Sequence, residues 1–532
     1  MRTFVIRSVA VTLCAAGFSL PLSVSAQTPR LAGQAAQAAQ DKAPDDAQVR
    51  RLTMDDAVRL AAENNLGVQV ARFDPQIQDL TIAQTQANYT PSFNSTFQQN
   101  STASPPNSFL SGANDTLNTD QFSSTANVQQ LLPWGGTYAA GWDTARSTSN
   151  NFFSTFNPQL RSSVSVTYTQ PLLRGFKIDS TREQLQVGRK NREIADVTLR
   201  DTLTATARTV RNAYLDLAYQ IASLRVARQS LELAQESLRN TRARVEIGTI
   251  PPIDVVEAEA EVAQRQEAVI VGEAGIDTAQ DRLRSLVYNP STPDFWTIQI
   301  EPVDLPPFET ITVDVNGAVR NALDRRTDLS QTRKNMEATD INIKFLKNES
   351  LPDVNASFDY GLSALGGVQV VRGPGIGFTP GDIIGEEHRG FGSVLGDLLT
   401  NDFPAWTASV NITYPLGKST QEANLARVRL QQTRTETQLK EQELRVATEV
   451  RQAARQVNTN QQRVQTTRAA REFAERRLEA EERKFAAGTS TNFLVFQAQR
   501  DLAEARNNEL RAILDYYQSK VDLETVQEVP LR

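Results

Sequence analysis

The sequence predicts an α+β membrane protein in which long helices, packed as coiled coils, continue into a β-barrel that several chains share. Three observations predict this fold class. One unit of strands and helices occurs twice along the chain, and each unit contains an uninterrupted helical pattern of about 68 residues. The strand segments have one apolar face and one polar face, as the strands of a membrane barrel do.

The N-terminus has the features of a secretory signal peptide. Basic Arg2 and Arg7 precede an apolar run over residues 9–24, and small residues before Gln27 form a cleavage site, so we expect a signal peptide over 1–26. Residues 27–51 are rich in Ala and Gln, and we expect a flexible arm there. Cleavage would remove Cys14, the only cysteine, so the exported chain could form no disulfide bond.

Composition and motifs argue against several classes of function. The formal charge of −6 argues against nucleic acid as a partner. His388 is the only histidine, so a transition-metal site is not expected. Gly417 and Ser419 resemble the end of a phosphate-binding loop, but Ile412 stands where that motif needs a glycine. No motif for a nucleophile or a metalloprotease is present, so we expect no catalytic residue, no cofactor and no enzyme activity.

Short motifs recur at a nearly fixed spacing, which indicates an internal duplication. Ala57-Val58-Arg59 recurs 261 residues later as Ala318-Val319-Arg320, and Ile247-Gly248-Thr249 recurs 240 residues later as Ala487-Gly488-Thr489. Gln170-Pro171-Leu172 likewise corresponds to Tyr414-Pro415-Leu416. We therefore expect two structural repeats. The expected segments are a first repeat over 52–288, a linker over 289–310, a second repeat over 311–527 and a C-terminal tail over 528–532.

Each repeat is expected to contain two columns of helix of equal height. A helical stretch of about 35 residues (54–88 and 314–350) comes first, a long helix (178–246 and 419–485) follows the strands, and a second stretch of about 35 residues (252–287 and 491–526) ends the repeat. At a rise of 1.5 Å per residue the long helix measures roughly 100 Å, which two shorter helices laid end to end would match. A narrow apolar stripe with polar flanks favours coiled-coil packing.

The strand segments alternate between apolar and polar residues. In residues 406–414 the apolar face carries Trp406 and Tyr414 at its two ends, and the other face is polar. Residues 164–168, which end at Tyr168, and residues 354–360 repeat this pattern. Alternation of this kind is typical of barrel strands between lipid and water, although a half-buried soluble sheet alternates too. We expect Trp406, Tyr414 and Tyr168 to lie in aromatic girdles at the membrane surfaces.

Two strands in each repeat give about four strands per chain. Four strands cannot close a membrane barrel, whose minimum is about eight, so several chains must share one barrel, and three chains would give twelve strands. The first repeat also contains strand-like pieces at 122–130 and 137–144. We expect residues 151–153 and the Gly-rich segment 361–396 to form loops on the outer surface.

Over residues 50–527 the chain resembles the TolC-type outer-membrane efflux proteins, also called outer membrane factors. The duplicated order of helices and strands, the two Pro-Leu strand ends and the two Gly-Thr turns carry this resemblance. It implies a homotrimer with a twelve-stranded barrel in outer-membrane lipid and a long α-helical barrel that projects into the periplasm. It also implies two partners, a periplasmic adaptor protein and an inner-membrane transporter of the RND, ABC or MFS type. The chain would then be the passive exit duct of a tripartite efflux or secretion system.

The resemblance also indicates which residues close the periplasmic entrance. Asp254 matches an aspartate that follows the first turn in the family. Phe485 and Ser490 stand where the family has its tyrosine and arginine partners, and Leu494 and Gln497 stand where it has an acidic ring. This chain therefore lacks the partner side chains and the acidic ring with which the family closes the entrance.

Two groups of residues are therefore candidates for function, and each has a plain structural alternative. Gly248, Thr249, Gly488 and Thr489 would contact the adaptor, yet a tight turn after a long helix needs such residues in any case. Asp254 and Glu257 would line the entrance of the lumen and attract cations, yet a solvated helix face explains them equally simply. The alternative function is a periplasmic coiled-coil structural or adaptor scaffold without a pore.

Overall fold

The computed structural model of the protein describes residues 49–106, 116–292, 295–303, 308–375, 381–417 and 419–528. The predicted signal peptide, the predicted arm up to residue 48 and residues 529–532 of the predicted tail lie outside this range. Within the described residues, no helix is both long enough and apolar enough to cross a membrane.

Helices make up most of the described chain, and two of them are much longer than the others. α3 (Ser180–Glu246) and α8 (Thr420–Ala486) contain 67 residues each, a length of about 100 Å. The helices that follow them, α4 (Ile253–Val287) and α9 (Asn492–Val526), contain 35 residues each. The predicted long and short helices are confirmed, because every observed end lies within two residues of the expected one.

The first helical segment of each half is broken in two, whereas the sequence predicted one helix of about 35 residues. Asn65 leaves the helical conformation, and its Oδ1 accepts hydrogen bonds from the backbone N–H groups of Gly67 and Val68, so that it caps a new helix. Arg326 makes the corresponding break in the second half. The resulting helices are α1 (Met54–Asn64), α2 (Leu66–Gln86), α5 (Val315–Arg325) and α6 (Thr327–Glu349).

Each long helix forms the spine of one half. α3 packs against α1, α2 and α4, and α8 packs against α5, α6 and α9. The halves join because α3 also packs against α6 and α9. Two apolar clusters hold this arrangement, one around the buried Tyr214 of α3 and one around the buried Tyr516 of α9. Removal of these large side chains from water is the main stabilising contribution to the contact.

Within the described residues, seven strands form one antiparallel sheet. The order along the sheet is β2-β3-β4-β5-β7, and β8 and β9 pair with different parts of the far side of β7. The strands are β2 (Ser92–Ser104), β3 (Leu117–Leu131), β4 (Thr137–Ser149), β5 (Phe156–Pro171), β7 (Asp353–Arg372), β8 (Ile383–Arg389) and β9 (Pro404–Thr413).

The expectation of about four strands per chain is therefore wrong. The strand-like pieces at 122–130 and 137–144 belong to β3 and β4, which form a full hairpin between β2 and β5. The Gly-rich segment 361–396, expected as an outer loop, contains the end of β7, all of β8 and the start of a helix, α7 (Phe391–Thr400). The expected loop at 151–153 does lie in a turn. Backbone pairing with neighbouring strands, rather than a strong local pattern, decides these elements.

The apolar side chains of the sheet lie mainly on one face. Register places Val128, Ala140, Val166, Tyr360 and Trp406 side by side on this face. The opposite face carries mainly hydroxyl, amide and carboxylate side chains. α7 packs on the apolar face, where Val394 and Leu398 are buried against side chains of β5 and β7.

A small parallel sheet lies beside the middle of α3. β1 (Val49–Leu52) pairs with β6 (Gln299–Pro302), so the arm expected over 27–51 ends in a strand and the expected linker 289–310 contains one. The hydroxyl of Tyr214 donates to the carbonyl of Leu52 at 3.0 Å and accepts from the N–H of Val303 at 3.1 Å. These bonds tie both segments to the long helix.

The joint between β5 and α3 is held by the end of α6. Asn348 accepts the N–H of Gly175 at 2.7 Å, and its amide donates to the carbonyl of Leu173. Arg174 donates from Nε to Glu349 at 2.9 Å. The sheet and the helices are therefore connected by side-chain hydrogen bonds as well as by the chain itself.

Candidate functional site

The two helix turns lie at the end of the long helices that is remote from the sheet, and we call them together the tip (residues 241–261 and 478–500). Gly248 has φ +73° and Gly488 has φ +74°. In the first turn the N–H of Gly248 donates to Val245, and the N–H of Thr249 donates to Arg244. This is a Schellman motif, which satisfies carbonyls that the helix end leaves free and which favours glycine at the left-handed position.

The second turn repeats the first almost atom for atom. The N–H of Gly488 donates to Phe485, and the N–H of Thr489 donates to Lys484. Both threonine hydroxyls add a bond to the same carbonyl as their own N–H, Thr249 at 2.9 Å and Thr489 at 3.1 Å. Both threonines are exposed. Their hydrogen bonds shape the turns, and their exposure leaves the turns open to a partner.

We expect Gly248→Ala to loosen the first turn without a steric clash. A Cβ at this position would meet no atom within 4 Å, so the cost is the left-handed backbone alone, roughly 1–2 kcal/mol. The amide of Thr249 should then exchange with solvent about 5–30 times faster in hydrogen-exchange mass spectrometry.

Gly390→Ala is the matched control for this prediction. Gly390 also has open space around it, but its φ is −69°, so alanine should leave local exchange unchanged. Equal effects of the two substitutions on their own turns would show that left-handed strain does not hold the tip together.

The two turns are joined to each other by side chains. The guanidinium of Arg244, in the last turn of α3, lies over the ring of Phe485 with 4.4 Å between Cζ and the ring centroid. Asn492, at the start of α9, is buried and donates to the hydroxyl of Thr241 in α3 at 3.2 Å. A cation–π contact at an exposed site contributes about 0.5–1 kcal/mol. The sequence did not reveal these links, because each joins residues about 240 positions apart.

The two short helices that follow the turns begin without a side-chain cap. Pro252 and Thr491 occupy the N-cap positions of α4 and α9, and neither makes a side-chain cap hydrogen bond. Asn492 is the first helical residue of α9, and its side chain bonds to α3. Packing against α3 therefore determines how α9 begins, and local capping does not.

The acidic residues after the first turn divide into two kinds. Glu259 pairs with Arg242 at 2.6 Å, and Glu261 is buried. Glu261 receives Arg265 at 2.7 Å and Arg500 of α9 at 3.7 Å, so it links α4 to α9. Asp254 and Glu257, the predicted lumen acids, form no ion pair with any described residue. Asp254 is half-buried and Glu257 is exposed.

Of the positions at which the chain departs from the family pattern, Ser490 has a partner in its own turn. Ser490 donates to Glu481 at 2.9 Å, and Lys484 donates to the same carboxylate at 2.7 Å. These two donors, Lys484 first, hold the pKa of Glu481 below its ordinary value. Leu494 is exposed, and Gln497 is half-buried. Ser490 therefore stabilises its own turn in this chain.

The predicted girdle residues all lie on or beside the apolar face of the sheet. Trp406 lies near the start of β9, and Tyr414 directly follows the end of this strand; both are exposed. Tyr168 lies on β5, where its hydroxyl accepts from Trp134 at 3.2 Å and donates to Gln170 at 2.6 Å. The amphipathic side chains thus have polar tips that are hydrogen-bonded or free to reach water.

The remaining motifs make ordinary structural contacts. Gly417 has φ +128°, and Ser419 caps α8 by accepting the N–H of Glu422. His388 lies on β8, and its imidazole is 3.8 Å from the carboxylate of Glu386. Among the described residues, no group of three or more His, Cys, Asp or Glu side chains could hold a metal ion.

Comparisons with known proteins found a matching family and solved structures with a similar fold. The family model described as outer membrane efflux protein matches residues 139–287 and 318–526, which is more than half of the chain. A comparison with curated proteins found no match.

Solved outer-membrane channels share the fold at low sequence identity. The CmeC channel of Campylobacter jejuni is 12% identical, with a TM-score of 0.62 over 89% of this chain and 85% of that one. VceC of Vibrio cholerae is 14% identical, with a TM-score of 0.59 over 89% and 95%. MtrE of Neisseria gonorrhoeae, solved in an open state, is 16% identical, with a TM-score of 0.58 over 89% and 88%.

Proposed function

The chain belongs to the outer membrane efflux protein family, and from this premise we propose that it is the exit duct of a tripartite efflux or secretion system. Three copies would form one tube that crosses the outer membrane and extends through the periplasm. An adaptor and an inner-membrane transporter would supply both the cargo and the energy.

One observation carries this proposal. Two helices of 67 residues follow β5 and β9 after short connections, and the sheet to which these strands belong carries its apolar side chains mainly on one face. A sheet of this kind, closed with its neighbours, presents apolar side chains to lipid and polar side chains to a water-filled lumen. The helices, about 100 Å long, would extend that lumen away from the membrane.

The exposed turns support the tip as the docking site for the adaptor. Their backbones are fixed by matching hydrogen bonds, so Thr249 and Thr489 present a preformed surface to a partner. Preformed surfaces bind with a smaller loss of conformational entropy. The two turns differ in the residues that follow, with Pro251 and Pro252 after one and Thr491 and Asn492 after the other, so an adaptor could tell them apart.

Fractionation, conductance and crosslinking test the proposal together. We expect the protein in the outer-membrane fraction as a heat-modifiable trimer, with channel conductance in planar bilayers. A photo-crosslinker at Thr249 or Thr489 should capture a periplasmic adaptor. A water-soluble monomer without conductance would contradict the duct and would support the coiled-coil scaffold instead.

The unpaired acids at the tip are expected to make the entrance cation-selective. In a trimer Asp254 and Glu257 each occur three times, and a ring of negative charge concentrates cations. We expect the double change Asp254→Ala with Glu257→Ala to lower the cation-over-anion permeability ratio, measured from reversal potentials in a salt gradient.

The neutral pair of Arg242 and Glu259 provides the control for that measurement. The double change Arg242→Ala with Glu259→Ala removes an ion pair from the same turn of the tip and leaves the net charge unchanged. Selectivity should stay at the wild-type value. If the acid variant also kept its wild-type selectivity, Asp254 and Glu257 would belong to a solvated helix face outside the lumen.

A further inference from the structure

We propose that each chain contributes six strands to the wall of the barrel, so that three copies build an eighteen-stranded barrel with a wider lumen than a twelve-stranded one. The six strands are β2, β3, β4, β5, β7 and β9. The inference rests on the proposed outer-membrane duct and its three copies, and it specifies the width of that duct. It replaces the twelve strands that the resemblance implied.

The hairpin of β3 and β4 is an integral part of the sheet. β3 pairs with β2 over thirteen residue pairs and with β4 over thirteen, and β4 pairs with β5 over eleven. No register shift interrupts these three ladders. If the hairpin folded away from the sheet, β2 and β5 could pair with each other. Instead β3 and β4 lie between β2 and β5 over the whole length of the ladders.

Side chains of the hairpin follow the same two faces as the other strands. Ala140 of β4 lies between Val128 and Val166 on the apolar face, and Ala139 lies between Gln129 and Thr167 on the polar face. In β3, Ser124 faces Phe97 on the apolar side. A shift of the strand register by one residue would move every side chain to the opposite face. The register of β2, β3, β4 and β5 instead keeps the apolar residues on one side, as a barrel wall between lipid and water requires.

The two edge strands of the sheet, β2 and β9, are both free to pair with another strand. Among the described residues β2 pairs only with β3, and β9 pairs only with β7. Neither strand contains a charged residue, and Phe93 and Phe97 of β2 are 68% and 72% exposed. Soluble proteins protect free edges with charges, bulges or short strands, and these long uncharged edges lack such protection.

A second copy of the chain is the occupant that these edges fit. Successive strands alternate in direction along the order β2, β3, β4, β5, β7 and β9, so β9 runs opposite to β2. β9 of one copy can therefore pair with β2 of the next in the antiparallel sense, and an even number of strands per chain lets the ring close. β8 pairs with β7 only from Gly367 onward, whereas β9 pairs with β7 only up to Leu362, so β8 adds no strand to the circumference.

The added strands set the width of the exit. The diameter of a barrel grows roughly linearly with the number of strands, so eighteen strands give about 1.5 times the diameter of twelve and roughly twice the cross-section. The polar face would line this wider passage. The wider passage would matter most for a bulky solute or an unfolded polypeptide, which a narrower exit would exclude.

Single cysteines on adjacent residues test whether the hairpin lies in the wall. Cys14, in the predicted signal peptide, is the only native cysteine. Ser123→Cys and Ala139→Cys lie on the polar face, while Ser124→Cys and Ala140→Cys are the same substitutions on the apolar face. In outer-membrane vesicles a membrane-impermeant maleimide should label the polar-face cysteines at least about tenfold faster than their neighbours. Equal labelling of the two faces would overturn the proposal.

A control pair on β5 separates this inference from the proposed function. If the chain is an outer-membrane duct, Ser165→Cys should label faster than Val166→Cys whatever the hairpin does. Alternation on β5 without alternation on β3 and β4 would refute the six-strand wall alone. Loss of alternation on all three strands would refute the duct as well.

Deletion of residues 105–150 gives an independent readout. The deletion removes β3 and β4 and leaves a short connection from β2 to β5, which could then pair directly in the antiparallel sense. Electron microscopy of the purified trimer in detergent should show a barrel reduced to about two thirds of the wild-type diameter. An unchanged diameter would place the hairpin outside the wall, and the cysteine pairs decide the question should the deletion variant fail to assemble.

Discussion

Replacement of Val166 with arginine is expected to abolish assembly in the outer membrane. Val166 lies on the apolar face near the middle of β5, between Ala140 and Tyr360. An arginine facing lipid at the membrane midplane costs about 2–4 kcal/mol, and three copies in one barrel would bring the cost to roughly 6–12 kcal/mol. The heat-modifiable trimer in the outer-membrane fraction, quantified on gels, should fall below one tenth of the wild-type amount.

Ser165→Arg is the matched control for this substitution. Ser165 directly precedes Val166 and lies on the polar face, so a guanidinium there can reach water in the lumen. Trimer should form at close to the wild-type amount. Equal losses from the two variants would mean that neither face of β5 contacts lipid, and the sheet would then be a half-buried soluble one.

The second large effect is expected at Tyr214, in the middle of α3. The side chain is fully buried, and its hydroxyl bonds to Leu52 and to Val303. Tyr214→Ala should destabilise the protein by about 3–5 kcal/mol through the cavity, in addition to the loss of the two hydrogen bonds that its hydroxyl makes. The transition temperature of thermal unfolding should fall, and the amides of β1 and β6 should lose protection in hydrogen exchange.

Two further variants identify the cause of the Tyr214 effect. Tyr214→Phe keeps the ring and removes the hydroxyl, so it should cost about 1–3 kcal/mol and expose β1 and β6 selectively. Leu233→Ala removes an exposed side chain from the same helix and should have little effect. A Tyr214→Phe protein with wild-type protection in β1 and β6 would show that packing alone holds these strands.

The helices could be predicted closely from the sequence because their signals are local. The long helices contain no proline and end at glycines that adopt the left-handed conformation, so Gly248 and Gly488 fix their C-termini. The breaks at Asn65 and Arg326 were missed because the helical pattern continues through both residues. Asn65 stops the helix partly through a bond to the carbonyl of Leu286, which is a distant contact.

The strands were harder to predict because two of them are nearly polar on both faces. β2 and β3 carry Ser95 and Ser124 at positions on the apolar face, and such serines weaken the alternation that identifies a strand. Their pairing partners, which lie elsewhere in the chain, determine the structure. The links across the tip, such as Arg244 on Phe485, were missed for the same reason, although the two Schellman turns themselves could be predicted.

The alternation of strand direction has a consequence for how such proteins can change in evolution. In the proposed barrel each strand of the wall would carry the chain from one side of the membrane to the other, and α3 would have to begin on the side where α2 ends. A single added strand would reverse the parity of the crossings and place every later helix in the wrong compartment. An added hairpin such as β3 with β4 preserves parity. Each chain can therefore gain strands only in pairs, so the circumference of a threefold barrel can grow only by six strands at a time. The long helices keep their length.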